Sequence, residues 1–165
     1  MPSAPTLITG YVPGCIGRVV ELHAHYYSAL VGFGLPFEAK VAREFADFCR
    51  GFDAHRDGMW FVSIAERIEG AVVLDGTDAQ AEGAHLRWFI ISDMLRGQGF
   101  GRRLLSTAVE FADARQYKRI YLWTFEGLGA ARHLYEQHGF KLARSSVGDQ
   151  WGKPVNEQLF TRGEA

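Results

Sequence analysis

The segment Arg96-Gly97-Gln98-Gly99-Phe100-Gly101 is the feature that most limits how this chain can fold. Before it lies an apolar run, His85–Ile91. After it, Leu104, Leu105, Ala108, Val109 and Ala112 recur at helical spacing within Gly101–Arg115, and a second apolar run follows at Arg119–Phe125. Strand, glycine loop, amphipathic helix and strand in that order require a parallel pair of strands with the helix crossing over between them. The glycines let the backbone turn sharply and come close to a ligand. The helix start presents free N–H groups at the positive end of its dipole, and a pyrophosphate is the natural guest, with Arg102 and Arg103 adding charge. A Walker loop would end in Gly-Lys-Ser/Thr, which is absent. The dinucleotide fingerprint fails because Arg102 stands at its last glycine position. Taken alone, the hexapeptide also fits a plain strand-to-helix turn.

The rest of the pattern extends this unit. Thr6–Tyr11 reads as a first strand. A helical stripe runs from Ile16 through Val19, Val20, His23 and Tyr27 to Val31, and a second runs through Phe37, Val41, Phe45 and Phe48. Trp60–Ala65 and Ile68–Leu74 read as a hairpin, and Thr77–Gly83 as a loop. Arg119–Phe125 is apolar on both faces, the mark of a buried strand. Leu128–His138 reads as a helix ended by Gly139, and strands follow near Phe140–Val147 and Val155–Thr161. The expectation is an α/β (α+β) fold: a mixed sheet of about seven strands with helices on both faces, in one domain over residues 1–165.

Composition excludes several classes. The 165 residues carry a formal net charge of −1, without the basic excess of a dedicated nucleic-acid binder or of a membrane-surface protein. No apolar run reaches the roughly 18 residues of a membrane span. The N-terminus lacks the pattern of a signal peptide. Cys15 and Cys49 are far apart and form neither a disulfide framework nor a zinc motif, which suggests reduced thiols in a cytoplasmic protein.

Some thirty residues beyond the glycine loop stands Ala131-Arg132-His133-Leu134-Tyr135-Glu136-Gln137-His138-Gly139-Phe140. With Arg-x-x-Gly-x-Gly before it, and the helix and strand between, the chain resembles the GNAT acetyltransferases over nearly its whole length. It is similar in particular to GNAT domains fused behind MarR-type DNA-binding domains, through stretches such as Gly83–Phe89, Tyr121–Phe125 and Gln150–Gly152. No winged-helix segment precedes it, so the expectation is a stand-alone domain. The resemblance implies acetyl-CoA as cosubstrate, no metal, and a splay between the fourth and fifth strands. It places the pyrophosphate on Arg96, Gly97, Gln98, Gly99, Phe100, Gly101 and Arg102, and the pantetheine arm along backbone near Phe89 and Ile91. Two positions depart from the family pattern. Leu128 stands where many members have an asparagine, and His85 where many have a glutamate.

The implied reaction is direct attack of an amine on the thioester. Tyr135 is the candidate general acid, since a phenol near pKa 10 can return a proton to a thiolate near 8.5; the plainer reading is a core aromatic. His85 is the candidate base, or a strand histidine that shapes the cleft. Arg87, two residues on and so on the same face, either holds an acceptor carboxylate or pairs with an acidic neighbour. Glu126 and Glu157 could face the acceptor, or be ordinary charges. His23, on the apolar face of the first helix, reads as a satisfied core histidine, and one or two tryptophans could line the pocket. The expected function is acetylation of a primary amine on a small molecule. A silent acyl-CoA sensor and a protein-lysine acetyltransferase are the alternatives. The last strand either pairs across a homodimer or lies inside the sheet.

Overall fold

The computed structural model describes residues 3–164. In chain order the elements are β1 (Thr6–Thr9), α1 (Cys15–Val31), α2 (Leu35–Arg50), β2 (Gly58–Ile64), β3 (Arg67–Asp75), β4 (Ala84–Ile91), α3 (Phe100–Ala114), β5 (Arg119–Phe125), α4 (Gly129–Gln137), β6 (Lys141–Gly148) and β7 (Val155–Gly163). One seven-stranded sheet runs in the order β1-β2-β3-β4-β5-β7-β6. Only β4 and β5 pair in parallel, with α3 crossing over between them.

Each face of the sheet buries one helical layer, as the stripes require. Leu104, Leu105 and Ala108 of α3 pack on Val62, Val72, Leu74 and Leu86. On the other face Val19 of α1 and Phe37, Val41 and Phe45 of α2 pack on Met59, Phe61, Ala71 and Val73. Burying each such side chain contributes about 1.5–3 kcal/mol. Gly32, in the left-handed region at φ 73°, ends α1 by turning its N–H to the Ser28 carbonyl. Pro36 sits in the first turn of α2, where a missing N–H costs nothing.

The decisive irregularity lies in β4. Ala71 faces Ile90 and Val73 faces Arg87, so two residues of β3 span three of β4. The extra residue is accommodated at Trp88, whose φ of 48° is rare for a large side chain. Strict alternation would put Phe89 and Ile91 on the His85 and Arg87 face. The bulge instead sends Trp88 and Ile90 into the α1–α2 core and turns Phe89 and Ile91 toward α3 and α4. Pairing between β4 and β5 stops after Ala84↔Ile120 and His85↔Tyr121, and the two strands then part.

Three expectations are refined here. β5 is fully buried on the α3 face through Ile120 and Leu122, but Tyr121 and Trp123 on the other face are only half-buried, because the sheet opens beside them. β7 lies inside the sheet between β5 and β6, so the internal reading of the last strand holds and β6 is the edge. Cys15 and Cys49, isolated in sequence, are brought side by side where α1 begins and α2 ends, and the hydrogen bond with the Cys49 thiol holds the Cys15 thiol below its usual value.

Candidate active site

Where β4 and β5 part, two hollows meet. The larger is a groove of about 580 Å³ bounded by the Arg96–Arg102 loop, Phe89 to Ile91 of β4, and residues 127–131 leading into α4. The loop's backbone makes the site. Gly97 and Gly99 have φ of 74° and 81°, and a Cβ on either would meet no protein atom within 4 Å. These glycines are therefore set by the left-handed backbone and the open approach, not by crowding within the protein. The first hydrogen bond of α3 runs from Arg103 N–H to the Gly99 carbonyl. The N–H groups of Phe100, Gly101 and Arg102 have no backbone acceptor among the described residues and point out at the positive end of the helix. Gly101 answers a different need: a Cβ there would stand 3.2 Å from Leu134, so its absence lets α3 sit close to α4, with Phe89 of β4 at an ordinary 3.6 Å.

The side chains of the loop are less committed. Arg96 pairs with Asp93 at 2.9 Å and lies over the Tyr26 ring. Arg102 donates to Gln137 at 2.8 Å. Gln98 turns to the Met94 carbonyl and does not line the groove. Past His85 the edge of β4 that faces β5 has no strand partner, so its amides are free for an extended ligand.

The smaller hollow, about 130 Å³, lies on the α1–α2 side and shares Tyr27 and Phe89 with the groove. Tyr135 of α4 reaches it and is 6% exposed. Burial pushes its phenol well above the ordinary value. Burial does the same to Tyr27, helped by Tyr26. Neither hydroxyl has a hydrogen-bond partner among the described residues, and no buried polar side-chain atom there is orphaned, so both hydroxyls open onto cavity space. Tyr27 was legible only as a helix-stripe aromatic; nothing in the sequence marked it as a second phenol at the junction.

His85 lines this cavity, stacked on Tyr121 with centroids 4.4 Å apart. Burial, then the charges of Arg87 and Lys40, lower its imidazole to about 3. At neutral pH it is uncharged and, in this resting site, a weak base. Arg87 donates to Glu44 at 2.6 Å and lies 4.2 Å over the Trp88 ring, so the acidic-neighbour reading is the one seen. Lys40 donates to the other oxygen of Glu44 at 2.8 Å. Burial works against the Glu44 charge, yet the Lys40 hydrogen bond and the Arg87 charge hold its carboxyl below the usual range. Sequence reasoning missed Lys40 and Glu44, which look like any solvated i,i+4 pair until α2 is laid beside β4.

His23 bonds the Val19 carbonyl at 2.8 Å, and burial lowers it to about 4, as a satisfied core histidine requires. Glu126 is exposed, accepts a hydrogen bond from Asn156 at 2.9 Å, and lines neither hollow. Glu157 is buried and accepts from the Gln150 backbone N–H and side-chain amide at 3.0 and 2.7 Å. It thereby fixes the 149–154 loop, whose Trp151 closes the aromatic wall 5.7 Å from Phe125 and 6.3 Å from Phe33. Among the described residues no three His, Cys, Asp or Glu side chains gather as a metal-ligand set.

Comparison with known proteins places this geometry. The sequence profile of the acetyltransferase (GNAT) family matches residues 18–140. N-alpha-acetyltransferase 80 of Mus musculus is 36% identical over 72 residues, which are 44% of this chain and 19% of that protein, so the match spans about a fifth of the relative's length. An acetyltransferase from Streptococcus agalactiae superposes with a TM-score of 0.73 at 18% identity, over 97% of this chain and 98% of its own. The yncA structure from Salmonella typhimurium, with its cofactor acetyl-CoA, gives 0.74 at 13% identity, over 98% and 94%. At these identities the two structures speak for the fold.

Proposed function

The chain belongs to the acetyltransferase (GNAT) family, and from that premise we propose that it carries an acetyl group from acetyl-CoA to a primary amine on a small molecule. The observation that carries this reading is the meeting of the two hollows at Tyr27 and Phe89, with Tyr135 lining the smaller of them. The groove suits CoA on its own terms. Free N–H groups at the start of α3 match a pyrophosphate, and the unpartnered edge of β4 matches an amide-bearing arm. The fit rests on backbone, which is why Leu128 in place of an asparagine need not prevent binding.

When bound, acetyl-CoA supplies a thioester whose carbonyl carbon accepts the amine. The chain's residues supply the rest. A free β4 N–H beside Phe89 can stabilise the developing oxyanion, a contribution of roughly 3 kcal/mol for one such donor. Tyr135 holds a proton for the departing thiolate. Burial raises the phenol and any thiolate formed beside it in the same direction, so proton transfer between them stays feasible. The uncharged His85 accepts a hydrogen bond from the incoming amine and orients its lone pair, and the proton that the nitrogen loses as the amide forms passes through solvent to the phenolate left on Tyr135, so the donor is restored.

A CoA-release assay with acetyl-CoA and a panel of small amines, run beside calorimetric CoA binding, tests the reading. Release that depends on added acceptor is expected. A second reading, a silent acyl-CoA sensor, draws on the low basicity of His85. Tight CoA binding with no release on any acceptor would favour it, and no CoA binding would overturn both.

A further inference from the structure

We infer that the smaller cavity takes an amine that also carries a carboxylate, with Lys40 and Arg87 holding the carboxylate and the aromatic wall holding a small apolar body: a free amino acid of modest size. The amine half of this inference rests on the proposed transfer reaction; the carboxylate half stands on the cavity alone.

The charges facing the cavity do not balance. Lys40 and Arg87 are both cationic, and Glu44 is the one carboxylate in the lining. Both cations bond to it, one on each oxygen. One positive charge is left over without a carboxylate partner in the lining, half-buried and shared between solvent and the face of Trp88. Donors are left over too. Lys40 has three N–H bonds and uses one, and Arg87 uses one nitrogen of its fork. A carboxylate arriving here completes the charge balance and meets a guanidinium suited to hold it. His85 lies in the same lining, where burial first, and then the charges of Arg87 and Lys40, disfavour its cationic form.

The same balance selects against the alternatives. A simple alkylamine arrives as a cation and meets a net positive wall. An amino acid arrives as a zwitterion and brings its own counter-charge. Once it is seated, the neighbouring cations favour the uncharged form of its amine, which is the nucleophile. Size sets the other bound. At about 130 Å³ the cavity is slightly smaller than a cavity of about 150 Å³ known to hold benzene, so one small ring or a branched aliphatic chain fills it. Phe33, Phe37, Phe125 and Trp151 form the wall against which that body packs. A polyamine of several sugar rings fails on both size and charge.

The test is calorimetric binding to CoA-saturated protein, using leucine and phenylalanine, each beside its decarboxylated amine and its deaminated acid. The carboxylate-bearing probes are expected to bind at least tenfold more tightly than the amines. Lys40→Met should weaken their binding about tenfold, while Glu44→Gln, which removes the competing carboxylate, should strengthen it severalfold; thermal melting confirms that both variants fold. A merely structural role for the pair would not give opposite signs. Amines binding as well as the acids, Glu44→Gln weakening acid binding, or no binding in either series would overturn the inference. Acid binding without acetyl transfer would leave the carboxylate site standing and remove the transferase reading; preferential acetylation of the decarboxylated amines would do the reverse.

Discussion

The groove beside α3 and the cavity beneath α1 and α2 adjoin at Tyr27 and Phe89, yet they are built by different means. The groove is made of backbone: two left-handed glycines, the open start of a helix, and a strand edge left free by the splay. The cavity is made of side chains drawn from both first helices, β4, β5, α4 and the 149–154 loop. A site made of backbone depends on conformation that few residues can adopt, so it tolerates change at neighbouring side chains and fails when a glycine is lost. A site made of side chains keeps its shape only while its charges and hydrogen bonds are matched, so it can change specificity without changing fold.

Substitutions should separate the two regions. The largest effect is expected for Gly99→Val. At φ 81° a β-branched residue is strained by about 1–2 kcal/mol, and its side chain enters the open space where a pyrophosphate would approach. Calorimetry should show CoA affinity reduced at least a thousandfold in a protein that still melts cooperatively; ordinary affinity would remove the loop from the binding site. Tyr135→Phe should do the converse, lowering turnover about a hundredfold with CoA affinity within about twofold. Unchanged turnover on a good acceptor would take Tyr135 out of the acid role and leave Tyr27 as the phenol to examine.

Acid should act most strongly through the cavity side, where burial holds two histidines uncharged. His23 is held at about 4 against an ordinary value of 6.5, so below pH 6.5 the unfolded chain binds a proton that the folded chain refuses. Stability is therefore complete above pH 6.5 and falls as the pH drops toward 4, with about 2 kcal/mol lost by pH 5. His85, lowered to about 3, acts in the same direction. Urea midpoints at pH 7 and 5 measure the loss, and His23→Gln should roughly halve it, leaving the part that His85 contributes; an undiminished slope in that variant would place the sensitivity elsewhere. The smallest effect is expected for Glu126→Gln. Its exposed contact with Asn156 lies outside both hollows, so kcat/KM should move less than twofold and stability by less than about 0.5 kcal/mol. A large loss in kcat/KM would return Glu126 to the acceptor site.

The element order, the crossover around α3 and the glycine loop were legible because each depends on local pattern: apolar spacing for the helices, glycine before a helix for the loop. His23 also read correctly, since its place on the apolar stripe leaves a histidine little choice but to satisfy itself. Glu126 and Glu157 could not be ranked from sequence. The Glu126 side chain points to Asn156, while Glu157 is buried under the loop that carries Trp151. That Arg87 is paired was foreseeable as one option; that its partner is Glu44, shared with Lys40, was not.

By itself, then, the sequence determined the glycine loop and the open helix start that follows it, because a backbone feature of this kind is written in glycines and periodicity within a few residues. It also determined the two-sided sheet that holds the site. The tertiary structure decided the rest. The one-residue bulge at Trp88 reverses which side chains of β4 face which layer, and so puts Phe89 and Ile91 in the groove but His85 and Arg87 in the cavity. The joining of Arg87 to the Lys40–Glu44 pair exists only once α2 is packed beside β4, because Glu44 and Arg87 stand 43 positions apart in the chain.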